Sequence, residues 1–328
     1  MGLGSAVAVL LAMAFAFAMG AHYTGACMGM AYATGAIAER RALRLMAVLA
    51  LVGAAFLSHG VLDTVGYRIV GADDLTPGQA SATLAAAFLL TTLYNRLKLP
   101  TSTIQIFVFC MAGVALAGNG SVNWSTIGHL VALWALAPLA AAALGFGFTR
   151  LLDRLGLGAP PSDKDAAGEQ RRANARRMLL LAAATASLAM GANDVANATG
   201  VLVAALRWPA LAAGALGGVA IALGVVGWGG ALLKRVAFEI ARLDLAMAGA
   251  AQMVQALVVL ASVLGFGYFT SINQALVGAI GGAGLARGLK TVNWATMAGI
   301  VVGWVVGPLS ALALGYGLSR ALHLAFPA

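Results

Sequence analysis

The sequence predicts an all-α integral membrane protein made of two inverted repeats, each with about five membrane-crossing helices plus a broken or re-entrant helical hairpin. Three observations predict it. The chain is 61% hydrophobic and 9% charged, with a mean hydropathy of +0.91, values foreign to soluble globular domains. Apolar stretches of helical length recur between short polar connections. Short strings of the first half return in the second at nearly constant spacing. Gly20-Ala21 returns as Gly191-Ala192 at an offset of 171, and Val122-Asn123-Trp124 as Val292-Asn293-Trp294 at 170. Trp134 with Pro138 returns as Trp304 with Pro308 at 170, and Thr101-Ser102 followed by Gln105 as Thr270-Ser271 followed by Gln274 at 169.

Taken in order, Gly4–Ala21 is apolar and long enough for a helix. It could pass for a signal-peptide core, but no positive residue precedes it and an equivalent segment recurs later, so it reads as the first membrane helix. Thr24–Ala38 is shorter and rich in small residues, closed by Glu39-Arg40-Arg41. Ala42–Leu62 is a span, Asp63–Gln79 a polar loop, and Ala80–Leu93 a span continuing to Lys98. In Pro100-Thr101-Ser102-Thr103-Ile104-Gln105 a proline, three hydroxyls and an amide interrupt a hydrophobic region. Such irregular backbone survives in a membrane only when buried in protein or lining a cavity, so a hairpin is expected near 99–117. Ser125–Thr149 is a span. The divisions are 1–149 for the first repeat, 150–177 for a linker, and 178–328 for the second repeat, whose hairpin falls near 267–287. The linker contains Pro160-Pro161 and seven Lys or Arg and lies outside the membrane. An odd number of crossings per copy makes the copies inverted. With the linker inside, the tally is eleven Lys or Arg inside against nine outside, too even to orient the chain.

Composition also excludes classes. The net charge of +9 sits at segment ends and in the linker, as expected beside membrane spans, and does not suggest nucleic acid. Cys27 and Cys110 lie in apolar stretches and read as buried thiols. The run Gly281-Gly282-Ala283-Gly284 lacks the strand–turn–helix setting of a phosphate loop, and no Walker A string is present, which argues against an ATP-driven pump. The Gly214, Gly217, Gly218 and Gly224 cluster reads as helix packing.

The chemistry concentrates at Met190–Gly200. Of eleven acidic residues, only Asp194 is embedded in an uninterrupted apolar segment. A carboxylate there costs about 2.5–3.5 kcal/mol on insertion scales, which makes a functional site the default reading. Asn193 and Asn197 are four apart on a helix and share a face beside Asp194. Two amides and a carboxylate are oxygen ligands for a hard cation such as Na⁺; otherwise they form a polar clamp between helices.

Met190–Gly200 resembles the signature of the inorganic phosphate transporter (PiT) family of inverted-repeat permeases. The Pro100–Gln105 string and Phe269-Thr270-Ser271-Ile272-Asn273-Gln274 look like the hairpin motifs of that family, and the Val-Asn-Trp and Trp-plus-Pro landmarks like its following helix. The departures fall in the first copy, Gly20-Ala21-His22-Tyr23-Thr24-Gly25-Ala26. There His22 and Tyr23 stand where the pattern has Asn and Asp, and Ala26 where it has the second Asn; both hairpins carry Gln in place of His. A short chain with a degraded first motif is similar to the sulfate permease branch. Sulfate only accepts hydrogen bonds, whereas phosphate near neutral pH keeps a proton and profits from an acceptor. The expected anion site is Thr101, Ser102, Thr103, Gln105, Thr270, Ser271, Asn273 and Gln274, with His22; its donors are hydroxyls, amides and helix N-termini. Local capping of the broken helices is the competing reading for the hydroxyls. For His22 the competitors are a proton carrier and a satisfied histidine between helices.

The function expected is thus a secondary permease for a tetrahedral oxyanion, sulfate favoured, coupled to Na⁺ or H⁺ through Asn193, Asp194 and Asn197. The alternative is an inorganic phosphate symporter. A passive channel needs no coupling acid, and a lipid enzyme needs a nucleophile–base pair that is missing at plausible depth. No cofactor is expected beyond Na⁺ as coupling ion. The expected partners are the anion and the bilayer, with a homodimer compatible, in a bacterial plasma membrane.

Overall fold

The computed structural model describes residues 2–71, 75–97, 101–158, 166–233, 243–289 and 292–325. Lys98–Pro100 of the first hairpin and Pro160-Pro161 of the linker lie outside the described residues. Those described form twelve α-helices: α1 (Leu3–His22), α2 (Thr24–Ala33), α3 (Glu39–Phe56), α4 (His59–Tyr67), α5 (Pro77–Leu97), α6 (Thr103–Ala117), α7 (Trp124–Arg154), α8 (Ala166–Ala205), α9 (Ala210–Leu233), α10 (Leu245–Leu260), α11 (Ile272–Arg287) and α12 (Trp294–Ala325). A π-helical turn, Ala261–Phe266, extends α10 and stops at Gly267, whose φ of 64° suits a residue without a Cβ.

Among the described residues six helical runs are long and apolar enough to cross a membrane, seven if the bent pair α3–α4 counts as one. Two sequence boundaries move. Gly4–Ala21 and Thr24–Ala38, read apart, join in one run, Leu3–Ala33, interrupted only at Tyr23. The loop expected from Asp63 onward begins as α4, bent 64° from α3. Gly66 lets α4 lie on α8, where its absent Cβ would come 3.1 Å from the Gly200 carbonyl oxygen.

Helix starts follow side-chain chemistry. Ser102, Asn123, Asp244 and Ser271 cap α6, α7, α10 and α11, each accepting from the backbone N–H three residues on. Pro77 opens α5, where its missing N–H costs nothing. Pro138 and Pro308 sit inside the long helices α7 and α12. Large apolar side chains such as Leu136, Leu139, Leu223, Val302 and Leu309 are exposed, as on a surface facing lipid.

The packing crosses between the halves. α7 lies on α11 and α12 on α6; α1 and α3 both pack on α9, and α3 also packs on α8. Glycines set the closest approaches. A Cβ at Gly20 would stand 2.1 Å from the Ile221 carbonyl oxygen, and one at Gly191 1.9 Å from that of Ala50. A Cβ at Gly53 would stand 2.0 Å from the Leu188 oxygen, and one at Gly224 1.9 Å from that of Phe17. These approaches are reciprocal. Ala50 and Ile221, like Phe17 and Leu188, differ by the same 171 residues that separate Gly20 from Gly191 and Gly53 from Gly224.

Candidate functional site

Four elements meet: the α1–α2 junction at Tyr23, the non-helical turns before α6 and α11, and the unbroken middle of α8. Almost every polar side chain there is nearly or wholly buried, including Asn193, Asp194, Asn197, Thr101, Thr270 and Ser271. Asp194 is the only acid among the buried described residues.

The α8 motif separates into two jobs. Asn193 grips the second hairpin: its Oδ1 accepts from the Thr270 N–H at 3.0 Å and its Nδ2 donates to the Thr270 carbonyl at 2.8 Å. A side-chain amide thus replaces a strand neighbour for a backbone that has none. The same Nδ2 donates to Asp194 Oδ2 at 3.1 Å, while Asn197 Nδ2 donates to Oδ1 at 3.4 Å. The Tyr23 hydroxyl also interacts with this carboxylate and is 2.7 Å from Thr103 Oγ1. Asp194 therefore has neutral donors around it rather than the bare surroundings the sequence suggests. Of the three expected cation ligands, Asp194 and Asn197 Oδ1, which has no partner, retain free oxygen capacity, whereas Asn193 is engaged in holding the hairpin. A carboxylate beside a free amide oxygen suits a small hard cation.

His22 is the hub of the opposite side. Asn95 Nδ2 donates to the Ala18 carbonyl at 3.2 Å, which turns its Oδ1 to His22 Nδ1. Nδ1 then carries the proton and Nε2 accepts from Asn273 Nδ2 at 3.1 Å. Asn273 Nδ2 also donates to the Thr101 carbonyl at 2.7 Å. His22 thus ties the first motif to both hairpins. The Thr101 carbonyl lies 3.2 Å from Nε2 as well and could accept from it only in the imidazolium form. The satisfied-histidine reading describes this geometry, and Asn273 is committed to the same network.

Ser102 and Ser271 accept from the Gln105 and Gln274 N–H groups, both at 3.3 Å, so the capping reading holds for both hydroxyl oxygens, which keep an O–H to donate. What the caps leave over is symmetric. Thr101 Oγ1, Gln105 Oε1, Thr270 Oγ1 and Gln274 Oε1 are buried without hydrogen-bond partners. Such atoms each cost about 1–3 kcal/mol unless a ligand satisfies them, and here they occupy corresponding positions, the threonines in the turns before α6 and α11 and the glutamines in the first turns of those helices.

Sequence reasoning missed several residues that shape this region. Asn95 orients His22. Trp134 Nε1 donates to the Phe269 carbonyl at 3.3 Å, steadying the second hairpin from α7. Gln252 and Gln255, both buried on α10, bond to each other, and Gln252 Nε2 donates to the Ala26 carbonyl at 3.1 Å. Polarity within an apolar helix was the available signal, strongest for the two glutamines.

These helices and this buried polar centre are those of a multi-pass membrane protein. The sequence pattern of the Phosphate transporter family matches residues 19–315, and the chain belongs to that family. A Mycobacterium bovis protein named "Probable low-affinity inorganic phosphate transporter" is 30% identical, over 95% of this chain and 76% of its own. A Mycobacterium leprae protein of the same name is 29% identical, over 92% of this chain and 73% of its own. A solved structure titled "The sodium-dependent phosphate transporter" superposes with a TM-score of 0.90 over 99% of this chain and 100% of that one, at 23% identity. Sulfate finds no support among these relatives; the phosphate alternative fits them better.

Proposed function

We propose that this chain is a cation-coupled permease for inorganic phosphate, working by alternating access between two inverted repeats. One observation carries it: the paired orphan atoms at the starts of α6 and α11, Thr101 and Gln105 at one, Thr270 and Gln274 at the other. Hydroxyls donate to phosphate oxygens, and a glutamine carbonyl accepts the O–H that phosphate keeps near neutral pH and sulfate lacks. Asp194 and Asn197 on α8 would hold the driving cation. The sodium dependence in the structural neighbour's title makes Na⁺ the first cation to try. The reciprocal glycine approaches support the repeats, 1–149 and 178–328 about the linker 150–177, because a two-fold axis makes every contact occur twice with its partners exchanged.

Helix ends also support an orientation that the residue tally left open. Arg176 Nε donates to the Ala36 carbonyl at 3.0 Å, which puts the α2–α3 turn at the linker end of the molecule. The arginines of that turn then join those of the α7 C-terminus and α8 N-terminus at one face, which the charge rule assigns to the cytoplasm of a bacterial plasma membrane. Protease should cut the linker in inside-out vesicles and leave it intact in right-side-out ones.

Thr270→Val tests the anion site. Valine keeps the volume and removes a hydroxyl that has no partner in the protein, so folding should survive. Loss of one such bond, about 0.5–1.5 kcal/mol, should weaken phosphate affinity about two- to twelvefold. Unchanged apparent affinity in both Thr270→Val and Thr101→Val would remove the hairpin turns from the site. Substrate identity is read by labelled phosphate uptake into proteoliposomes: excess sulfate should leave it intact. Strong inhibition by sulfate would restore the sulfate reading.

Tyr23 occupies the position that corresponds to Asp194, so a single embedded acid serves both halves. Transport should therefore use fewer cations per phosphate than a relative with acids at both positions. An equal coupling ratio, from paired isotope fluxes, would contradict this.

A further inference from the structure

Outside the transport centre, a cavity of about 970 Å³ opens where the α2–α3 turn meets the start of α8. Arg41 and Arg176 line it together with Tyr32, Ile37 and Leu180, and none of the described residues lining it is an acid. Arg176 is anchored by its bond from Nε to the Ala36 carbonyl, 3.0 Å long. The backbone before α3 lies here as well: Ala38 sits at the N-cap of α3 and provides no side-chain cap. The carboxylate of Glu39, the acid of that turn, lies against α9, where a Cβ at Gly230 would come 2.7 Å from its Oε1. Two guanidinium groups beside a helix N-terminus without a side-chain cap, with no carboxylate among the described lining residues, form a phosphate-recognising surface.

Its position and apolar lining distinguish it from a site for a soluble ion. Arg176 comes two residues before the apolar run that starts at Met178, so the cavity straddles the boundary between the charged end of α8 and its membrane part. Leu180 and Ile37 give it apolar walls. Beyond it Leu181 of α8 and Val48 and Val52 of α3 are exposed, and these two helices pack against each other. A molecule with a phosphate at one end and a hydrocarbon chain at the other matches that sequence of surfaces. We propose that this cavity is a binding site for the headgroup of an anionic phospholipid, with an acyl chain lying along α3 and α8. Basic pockets between membrane helices at the cytoplasmic face have the chemistry for such headgroups.

The test needs no transport, so its outcome is independent of the phosphate reading. Protein purified in neutral detergent is titrated with phosphatidylglycerol, phosphatidylcholine or inorganic phosphate, and its thermal unfolding midpoint is followed. Phosphatidylglycerol should raise the midpoint saturably and phosphatidylcholine should not. Each arginine contributes about 1 kcal/mol to binding an anionic headgroup, so Arg41→Gln/Arg176→Gln should need about 25-fold more phosphatidylglycerol for the same shift. Arg44→Gln/Arg171→Gln, which removes equal charge at the same face outside the cavity, should titrate like the parent. Equal responses to the two lipids in the unmutated protein overturn the proposal whatever the variants do. So does an unchanged phosphatidylglycerol titration in Arg41→Gln/Arg176→Gln. A stabilisation by inorganic phosphate that the arginine pair carries, with no preference between the lipids, reassigns the cavity to the free anion.

Discussion

Asp194→Asn should abolish gradient-driven phosphate uptake while the protein still inserts and folds. Asparagine keeps the shape and can still meet the amides of Asn193 and Asn197, so the geometry at the α8 centre has no reason to collapse. The charge is what disappears. Moving one negative charge inward against a negative-inside potential costs about 2.3 kcal/mol per 100 mV, and a phosphate carries between one and two such charges near neutral pH. Concentrative uptake therefore needs cations to travel with the anion, and a site that attracts a cation into a membrane protein must be negative. Asp194 is the only acid among the buried described residues. Its partners are neutral donors, so nothing there already cancels its charge. Counterflow of phosphate against phosphate moves no net charge and should persist in the variant. Proteoliposomes with an imposed Na⁺ gradient measure the first activity and those preloaded with phosphate the second. Full Na⁺-driven uptake by Asp194→Asn would reduce the motif to a structural clamp and transfer the coupling role to another group, with His22 the nearest candidate for a proton.

Asp194 was legible in the sequence because one carboxylate in an apolar run has no soluble-protein explanation. The helix breaks before α6 and α11 were legible because hydroxyls and amides recur at the same spacing in both halves. What stayed hidden was pairing. Asn95 adjoins Arg96 near the end of its helix and so reads as an interfacial residue, yet it turns His22 towards both hairpins. Asn193 looked equivalent to Asn197, since a helical face does not reveal that one amide meets the buried, non-helical backbone of Thr270 and the other does not. The α1–α2 boundary was overdrawn because Gly20 and the small residues after it resemble a connection. They are small because another helix crosses there. Likewise α4 was hidden by Asp63 and Gly66, which are common in loops; here Thr64 donates to the Gly267 carbonyl at 2.8 Å and fixes that helix beside the second hairpin.

The crossings themselves should be the least tolerant part of the fold. Alanine normally improves a helical glycine by about 1 kcal/mol through lower chain entropy in the unfolded state. At Gly191 that gain is overwhelmed, because the added Cβ would lie 1.9 Å from the Ala50 carbonyl oxygen, and backbone cannot rotate away as a side chain can. The helices must part, at an overpacking cost of about 1–3 kcal/mol or more. Gly20→Ala should cost a similar amount, since its Cβ would lie 2.1 Å from the Ile221 oxygen in the corresponding crossing of α1 on α9. Gly303→Ala supplies the contrast: nothing lies within 4 Å of its Cβ, so the propensity gain should appear unopposed. Thermal unfolding in detergent should rank Gly303→Ala at or above the parent and both crossing variants well below it. A large loss for Gly191→Ala with none for Gly20→Ala would mean that the two crossings are not equivalent, and the proposed two-fold relation between the repeats would fail with it.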